Sequence, residues 1–145
     1  MKILVVVLTF VWVGLVLGIS FLEAPLKFQA PNITLPLGLG IGRLVFGALN
    51  KVEWVFTLGI ILSFWRGHFS FKVHYLYGFA FGILALQTLW LIPILDARAG
   101  QIIAGETPPP TYHHIGFIVV EFCKVAVLLA AGVVFLRKIY ADAPL

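Results

Sequence analysis

Five charged residues interrupt two long apolar stretches of this sequence. Arg43, Lys51 and Glu53 lie in one stretch, and Glu121 and Lys124 lie in another. On insertion scales, a charged side chain in the middle of a membrane-spanning helix costs roughly 2.5–3.5 kcal/mol. Such residues usually mark a site for a ligand, an ion or a proton, and this is the interpretation we favour. The alternative is a set of structural ion pairs that fixes how the helices pack.

The spacing of these residues indicates two helical stripes, because steps of three and four residues return to the same face of a helix. One stripe, with Glu53 at its edge, consists of Arg43, Gly47, Asn50, Trp54 and Thr57. The other consists of His114, Phe117, Glu121, Lys124 and Leu128. We expect both stripes to face the interior, where a glutamate would pair with Lys124 or Arg43. This predicts an internal polar cluster, or a cavity that opens at the outer membrane face.

The candidate ligand-binding residues are the charged and polar members of this region, including two that follow a third apolar stretch. They are Arg43, Asn50, Glu53, His114, Glu121, Lys124, Asp96 and Arg98. No nucleophile adjoins a base and no phosphate-binding loop is present, so no catalytic residue is assigned. His68 and His74 are predicted at the opposite membrane face from His113 and His114. The two pairs are therefore too far apart to ligate one metal or haem together, and we predict no metal site and no cofactor.

Composition predicts the environment of these stretches. The chain has 145 residues, of which 61% are hydrophobic and 11% charged, whereas soluble domains carry about 25% charged residues. A soluble domain of this size has too little interior to bury so much apolar surface. We therefore predict one all-α integral membrane domain, a bundle of four transmembrane helices. The expected spans are 3–22, 40–65, 73–95 and 114–136.

Prolines and glycines set the expected ends of these helices. The first apolar run is longer than the roughly 7–15 apolar residues of a signal peptide, so we predict a retained helix. Pro25 and the two prolines that follow it are expected to end that helix. The second run, from Leu37 to Trp65, would be about 44 Å long against a hydrocarbon core of about 30 Å. Gly38 and the glycines at 40 and 42 predict a bend or a short interfacial segment at its start.

Basic residues predict the orientation of the chain, since cytoplasmic loops carry more Lys and Arg. The side that would contain both termini carries Lys2, Arg66, Lys72, Arg137 and Lys138. The opposite side carries Lys27 and Arg98. Both termini are therefore predicted in the cytoplasm, with the protein in the cell (inner) membrane. The basic residues occur singly or in pairs without an RNA-binding pattern, so nucleic acid is not an expected partner.

Two G-x-x-x-G pairs predict close helix contacts. Gly14 and Gly18 form one pair, and Gly78 and Gly82 form the other. This spacing lets helix backbones approach each other closely. We expect packing within the bundle, with a dimer interface as the alternative.

Several features extend over most of the chain and together resemble a known group. They are Gly18 followed by Pro25 and Phe28, the segment Gly40–Phe46, Pro93, and a histidine at the start of the fourth span. The pattern resembles the uncharacterised small bacterial four-helix membrane proteins that are grouped as a domain of unknown function. This resemblance implies the four-helix fold and assigns no chemistry.

A second resemblance is local to the second span. Arg43, Ala48, Asn50 and Glu53 read R-x(4)-A-x-N-x-x-E, with Phe46 where a second arginine is expected. The pattern is similar to the second-helix motif of the membrane-associated proteins of eicosanoid and glutathione metabolism, which are four-helix trimers. This resemblance implies that the arginine, the asparagine and the glutamate bind glutathione.

These observations predict a non-enzymatic membrane protein in contact with the lipid bilayer. We expect a component that binds or transports a small solute, or an accessory subunit of a larger membrane complex. The alternative is a membrane-embedded enzyme that modifies glutathione or a lipid with the same residues. Four helices are few for alternating access, so transport would require a homo-oligomer.

Overall fold

The computed structural model describes residues 2–65 and 70–141, and all regular structure in those ranges is helical. The helices are α1 (Lys2–Gln29), α2 (Leu35–Trp65), α3 (Phe71–Ile103) and α4 (His113–Ala141). Each is long and apolar enough to cross a membrane. The predicted all-α architecture with four such helices is confirmed. Arg66 and His68, which we predicted on the cytoplasmic side, lie outside the described residues.

The four helices pack around a shared interior. Helix α1 contacts α2 and α4, whereas α3 contacts α4 along its first half and α2 along its second half. Successive helices run in opposite directions, so the connections at 30–34 and 104–112 lie at the same end of the bundle. We call this the cavity end, because it contains the cavity described below. We call the opposite end the terminal end; it contains residue 2 and the end of α4.

The bundle is apolar on its outer surface. Leu44, Leu89, Trp65 and Phe71 are 77% to 87% exposed. Water would disfavour so much contiguous apolar surface, whereas lipid accommodates it. The interior contains an apolar core made by all four helices: Val5, Trp12, Val16, Leu49, Ile60, Val73, Tyr77, Leu84, Leu128 and Phe135. It also contains several ionisable side chains, which form the site described below.

Helix α1 continues past the proline that was expected to end it. Residues Leu17–Glu23 form a π-helical segment, and the chain then continues through Pro25 as α-helix and 3₁₀-helix to Gln29. Proline lacks an N–H group, and its ring collides with the carbonyl four residues earlier in a regular α-helix. The wider π turn just before Pro25 relieves this conflict, so the helix ends six residues or so later than its sequence suggested.

Helix α3 accommodates a proline in the same way. A π-helical segment, Gln87–Leu91, precedes Pro93, and the helix continues to Ile103 rather than ending at Pro93. Its end is instead marked by Gly105, which has a φ of 87°. The N–H of Glu106 donates to the carbonyl of Gln101 over 2.9 Å, as in a Schellman cap. Asp96 and Arg98 therefore lie on the helix rather than after it.

Helix α2 is a single α-helix over its 31 residues, so no break separates its glycine-containing start as a short interfacial segment. The helix begins five residues earlier than expected because Thr34 caps it, with its Oγ1 accepting from the N–H of Leu37 over 3.4 Å. Pro36 fits within the first turn, where its missing N–H is not needed. Gly38 and Gly42 are buried and make room for Phe28 and Lys27, the side chains at the end of α1.

The two G-x-x-x-G pairs do not mediate helix contacts within the bundle. A Cβ atom placed on Gly14, Gly18, Gly78 or Gly82 would meet nothing within 4 Å. The predicted packing within the bundle is therefore wrong for both pairs. The close approach of α1 and α4 occurs at Gly132, where a Cβ atom would lie 3.0 Å from the ring of Phe10.

Candidate functional site

Lys124 is the centre of a buried polar cluster in the middle of the bundle. Its side chain is fully buried, and its ammonium group contacts Glu53 Oε1, Glu121 Oε2 at 2.8 Å and Gln87 Oε1 at 2.8 Å. An ammonium group has three N–H donors. Each of them therefore has an acceptor, and the acceptors come from α2, α3 and α4.

The two glutamates of the cluster have further donors. Trp12 Nε1 donates to Glu53 over 2.8 Å. Ser20 Oγ donates to one oxygen of Glu121 over 2.7 Å, and Gln87 Nε2 donates to the other over 2.5 Å. Glu121 thus accepts from three side chains, including the Lys124 ammonium, whereas Glu53 accepts from two. Helix α1 completes the cluster, so all four helices contribute to it.

The irregular segments of the helices place two of these donors. Ser20 lies in the π-helical segment of α1, and Gln87 begins the π-helical segment of α3. A π turn changes the direction of the side chains that follow it relative to a regular α-helix. Both segments occur where the chain accommodates a proline, so the prolines contribute indirectly to the direction of donors toward Glu121.

The inward faces agree with the prediction in part. On α4, Phe117, Glu121, Lys124 and Leu128 are buried, whereas His114, the first residue of the predicted stripe, is exposed. On α2 the buried positions are Gly38, Gly42, Leu49, Glu53, Thr57, Ile60 and Ser63. Glu53 is therefore central to the inward face of α2 rather than at its edge. Thr57 of the predicted stripe shares that face, whereas Arg43, Asn50 and Trp54 bond to α3.

Arg43, Asn50 and Trp54 bond to α3 and take no part in the Lys124 cluster. Arg43 forms a two-point ion pair with Asp96, with Nε–Oδ1 at 2.6 Å and Nη2–Oδ2 at 2.7 Å. Asn50 Nδ2 and Trp54 Nε1 both donate to the hydroxyl of Thr88, over 2.8 and 3.0 Å. Of the two expected partners for a glutamate, Lys124 is the one that pairs, with both Glu53 and Glu121, whereas Arg43 pairs with Asp96.

A cavity of about 610 Å³ occupies the cavity end of the bundle. Volumes of 300–1,000 Å³ are typical of sites for small molecules. All four helices line it, and most of its lining is apolar, including Phe21, Phe28, Leu39, Phe46, Ile92 and Phe117. Its polar lining residues are Ser20, Lys27, Arg43, Asp96, Arg98, His114 and Glu121.

Most of the predicted site residues fall into two groups. Glu53, Glu121 and Lys124 meet in the buried cluster. Arg43, Asp96, Arg98 and His114 line the cavity, together with Glu121. Asn50 belongs to neither group. Since Glu121 belongs to both groups, it connects the cavity to the cluster.

Trp12, Ser20 and Lys27 are site residues that sequence reasoning did not identify. Trp12 and Ser20 lie in the most apolar helix, and no charge marks their positions. Their polar groups could have indicated a role, because a buried indole N–H or hydroxyl in an apolar environment usually donates to an acceptor. Lys27 was expected beyond the end of the first helix, so its place in the cavity wall depends on the continuation of α1 past Pro25.

The structure offers no metal centre within the described ranges, where no group of three or more His, Cys, Asp or Glu side chains is arranged to hold an ion.

Comparisons of the chain with protein-family models, with curated proteins and with solved structures find no match. Function is therefore inferred from the chemistry of the site.

Proposed function

We propose that this protein is a multi-pass protein of the cell (inner) membrane that binds a small molecule in the cavity, as a binding or transport component or as an accessory subunit of a membrane complex. The observation that carries the proposal is the cavity of about 610 Å³ between four apolar helices. Its mostly apolar walls suit a ligand that enters from lipid, and its few charged groups suit a polar end on that ligand.

The buried cluster holds one wall of the cavity, at Glu121, in a fixed position. Glu121 lines the cavity, and three donors from three different helices hold its carboxylate in place. A side chain so restrained changes position little when a ligand binds. The cluster therefore supports the proposal as a rigid, pre-organised part of the site rather than as a separate ligand site.

The proposal places both termini in the cytoplasm. Lys72, Arg137 and Lys138 lie at the terminal end of the bundle, in agreement with the excess of positive charge expected on the cytoplasmic side. A fluorescent reporter fused to the C-terminus should then fold and fluoresce. Activity of a fused alkaline phosphatase, which requires export, would contradict this orientation.

Filling the cavity tests the proposal. Ala99 is a buried residue of its wall, so Ala99→Phe should occupy the space that a ligand needs. Ala97 is exposed on the same helix, so Ala97→Phe is the matched control. Native mass spectrometry of protein purified in a mild detergent should detect a small molecule retained by wild type and by the control but lost from Ala99→Phe.

Either of two results would contradict the proposal. One is equal retention of the molecule by Ala99→Phe and by wild type, which would place it outside the cavity. The other is wild-type protein that retains nothing and binds no added apolar probe. The same spectra report the copy number and so test whether the protein forms the homo-oligomer that transport would require.

A further inference from the structure

Lys27 places a mostly buried ammonium group in the wall of the cavity. Its side chain is only 9% exposed. Its one acidic partner among the described residues is Glu23, one turn earlier on α1, with Nζ–Oε2 at 3.4 Å. Ion-pair hydrogen bonds of this kind are usually about 2.7–2.9 Å long. The existing contact is therefore a weak one.

Aromatic rings hold this ammonium group toward the cavity. Its Nζ lies 5.6 Å from the ring centre of Phe28 and 5.5 Å from that of Phe46. A cation over an aromatic ring is stabilised by the ring quadrupole, most strongly where water is excluded. Gly42 provides the necessary space, because a Cβ atom there would lie 3.1 Å from Lys27 Nζ.

Lys27 differs from Lys124 in the number of acceptors that it has. Lys124 has an acceptor for each of its three donors, whereas Lys27 has the single long contact with Glu23. Two of the Lys27 donors therefore have no acceptor among the described residues. A desolvated cation with open donors is a recognition element for an anion.

The cavity lining carries one more positive charge than negative charge, because Lys27, Arg43 and Arg98 outnumber Asp96 and Glu121. Arg43 pairs with Asp96, whereas Lys124 of the buried cluster is shared between Glu121 and Glu53. Arg98 lines the cavity and donates to the backbone carbonyl of Pro109, with no ion pair to an acid in the described part of the chain. Lys27 and Arg98 thus offer positive charge at the cavity end, next to a mostly apolar space.

We propose that the cavity binds a single-chain amphiphile with a carboxylate head, such as a medium- or long-chain fatty acid. This inference rests on the proposed function and names the ligand class of the same site. The carboxylate would bind the Lys27 ammonium group, and the chain would lie along Phe46 and Phe117, whose rings pack edge to face at 5.6 Å. A carboxylate matches the site because Glu23 already presents one to Lys27, and because the lining has an excess of one positive charge.

A comparison of head groups on one chain length tests this inference. The purified full chain in a neutral maltoside detergent is titrated with decanoate, decanol and decyl phosphate, and thermal stability is followed, since a ligand that binds the folded state raises the melting temperature. We expect decanoate to bind about tenfold more tightly than decanol, which corresponds to about 1.4 kcal/mol. Decyl phosphate should bind no better than decanoate.

Variants assign that preference to Lys27. Lys27→Gln removes the charge, so it should bind decanoate and decanol with about equal affinity. Lys27→Arg keeps the charge and should retain most of the preference for decanoate. Glu23→Gln removes the competing carboxylate and should strengthen decanoate binding while leaving decanol binding unchanged. Because each ligand is compared between variants, its partition into detergent cancels.

The glycines of α2 supply a matched pair that leaves Lys27 itself unchanged. Gly42→Ala places a methyl group against the ammonium and should weaken decanoate binding. Gly40→Ala, two residues earlier, adds a methyl group that meets nothing within 4 Å and should leave binding unchanged. This pair keeps the inference testable even if Lys27→Gln fails to fold.

The outcomes separate this inference from the proposed function. Equal binding of decanoate and decanol, or an acid preference that persists in Lys27→Gln, would overturn the carboxylate site while the cavity remained a binding site. A clear preference for decyl phosphate would overturn the carboxylate assignment in favour of a phosphate head. Binding of none of the three would contradict the proposed function as well.

Discussion

At the scale of single residues, the unequal charge of the buried cluster governs its stability. Lys124 is a single cation in contact with two carboxylates, those of Glu53 and Glu121. In an apolar environment, removing that cation leaves two acids facing each other without compensation. Removing one acid leaves a balanced pair. The three charged members of the cluster should therefore differ sharply in how much free energy of unfolding their replacement costs.

We predict that Lys124→Met lowers the free energy of unfolding most, by about 3–5 kcal/mol, as expected when one partner of a buried ion pair is removed. Glu121→Gln should cost about 1–3 kcal/mol, because a Gln amide cannot accept from all three donors. Glu53→Gln should cost about 1 kcal/mol or less, because one amide oxygen still accepts from Trp12 and Lys124. Unfolding in mixed micelles measures all three, and equal losses for Glu53→Gln and Lys124→Met would refute this order.

The sequence could predict the charged core of this site but not its full set of donors. Glu53, Glu121 and Lys124 stand out because charges are rare in apolar stretches. Trp12 and Ser20 do not stand out, since an indole or a hydroxyl is tolerated in such helices for several reasons. The sequence left open whether a glutamate pairs with Lys124 or with Arg43, because the partner depends on where α3 places Asp96, which pairs with Arg43.

At the scale of helices, the prolines shape the site without ending the helices. Pro25 and Pro93 each follow a π-helical segment, and the helix continues beyond each proline. The last turns of α1 and α3 then form two walls of the cavity. Sequence rules predicted interruptions at these prolines because they treat the preceding turn as regular α-helix. The widened turns include Ser20 and Gln87, which donate to Glu121.

The contact between α1 and α4 gives a prediction with an internal control. Gly132→Ala would place a methyl group 3.2 Å from Thr9 Cγ2, and hydrogen bonds to Val5 and Tyr77 hold Thr9 in place. We expect a loss of about 1–3 kcal/mol from overpacking. Gly116→Ala on the same helix meets nothing within 4 Å and should stabilise α4 by up to about 1 kcal/mol.

Thermal unfolding of the two glycine variants in the same detergent checks that contact. The expected melting temperatures lie on opposite sides of the wild-type value. Stabilisation by both alanines would mean that α1 and α4 are not closely packed at Gly132.

At the scale of the whole molecule, the bundle has an apolar exterior and its two ends differ. The cavity end contains the cavity, its charged lining and the long ends of α1 and α3. The terminal end contains a mostly apolar core, although Thr9 and Tyr77 also share a hydrogen bond there. Composition was sufficient to predict the four helices. A cavity was predicted as an alternative to an internal polar cluster, and the structure contains both. The size and lining of the cavity could not be predicted, since they depend on where helices end and on which glycines leave space.

The most direct test of a ligand in the cavity is photocrosslinking of the protein in its membrane with a fatty acid that carries a diazirine on its chain. Residue-level mass mapping should find the label on cavity residues such as Phe46 and Phe117, and excess decanoate should suppress it. Labelling confined to lipid-facing residues such as Leu44 and Leu89, or labelling that decanoate does not suppress, would contradict the account.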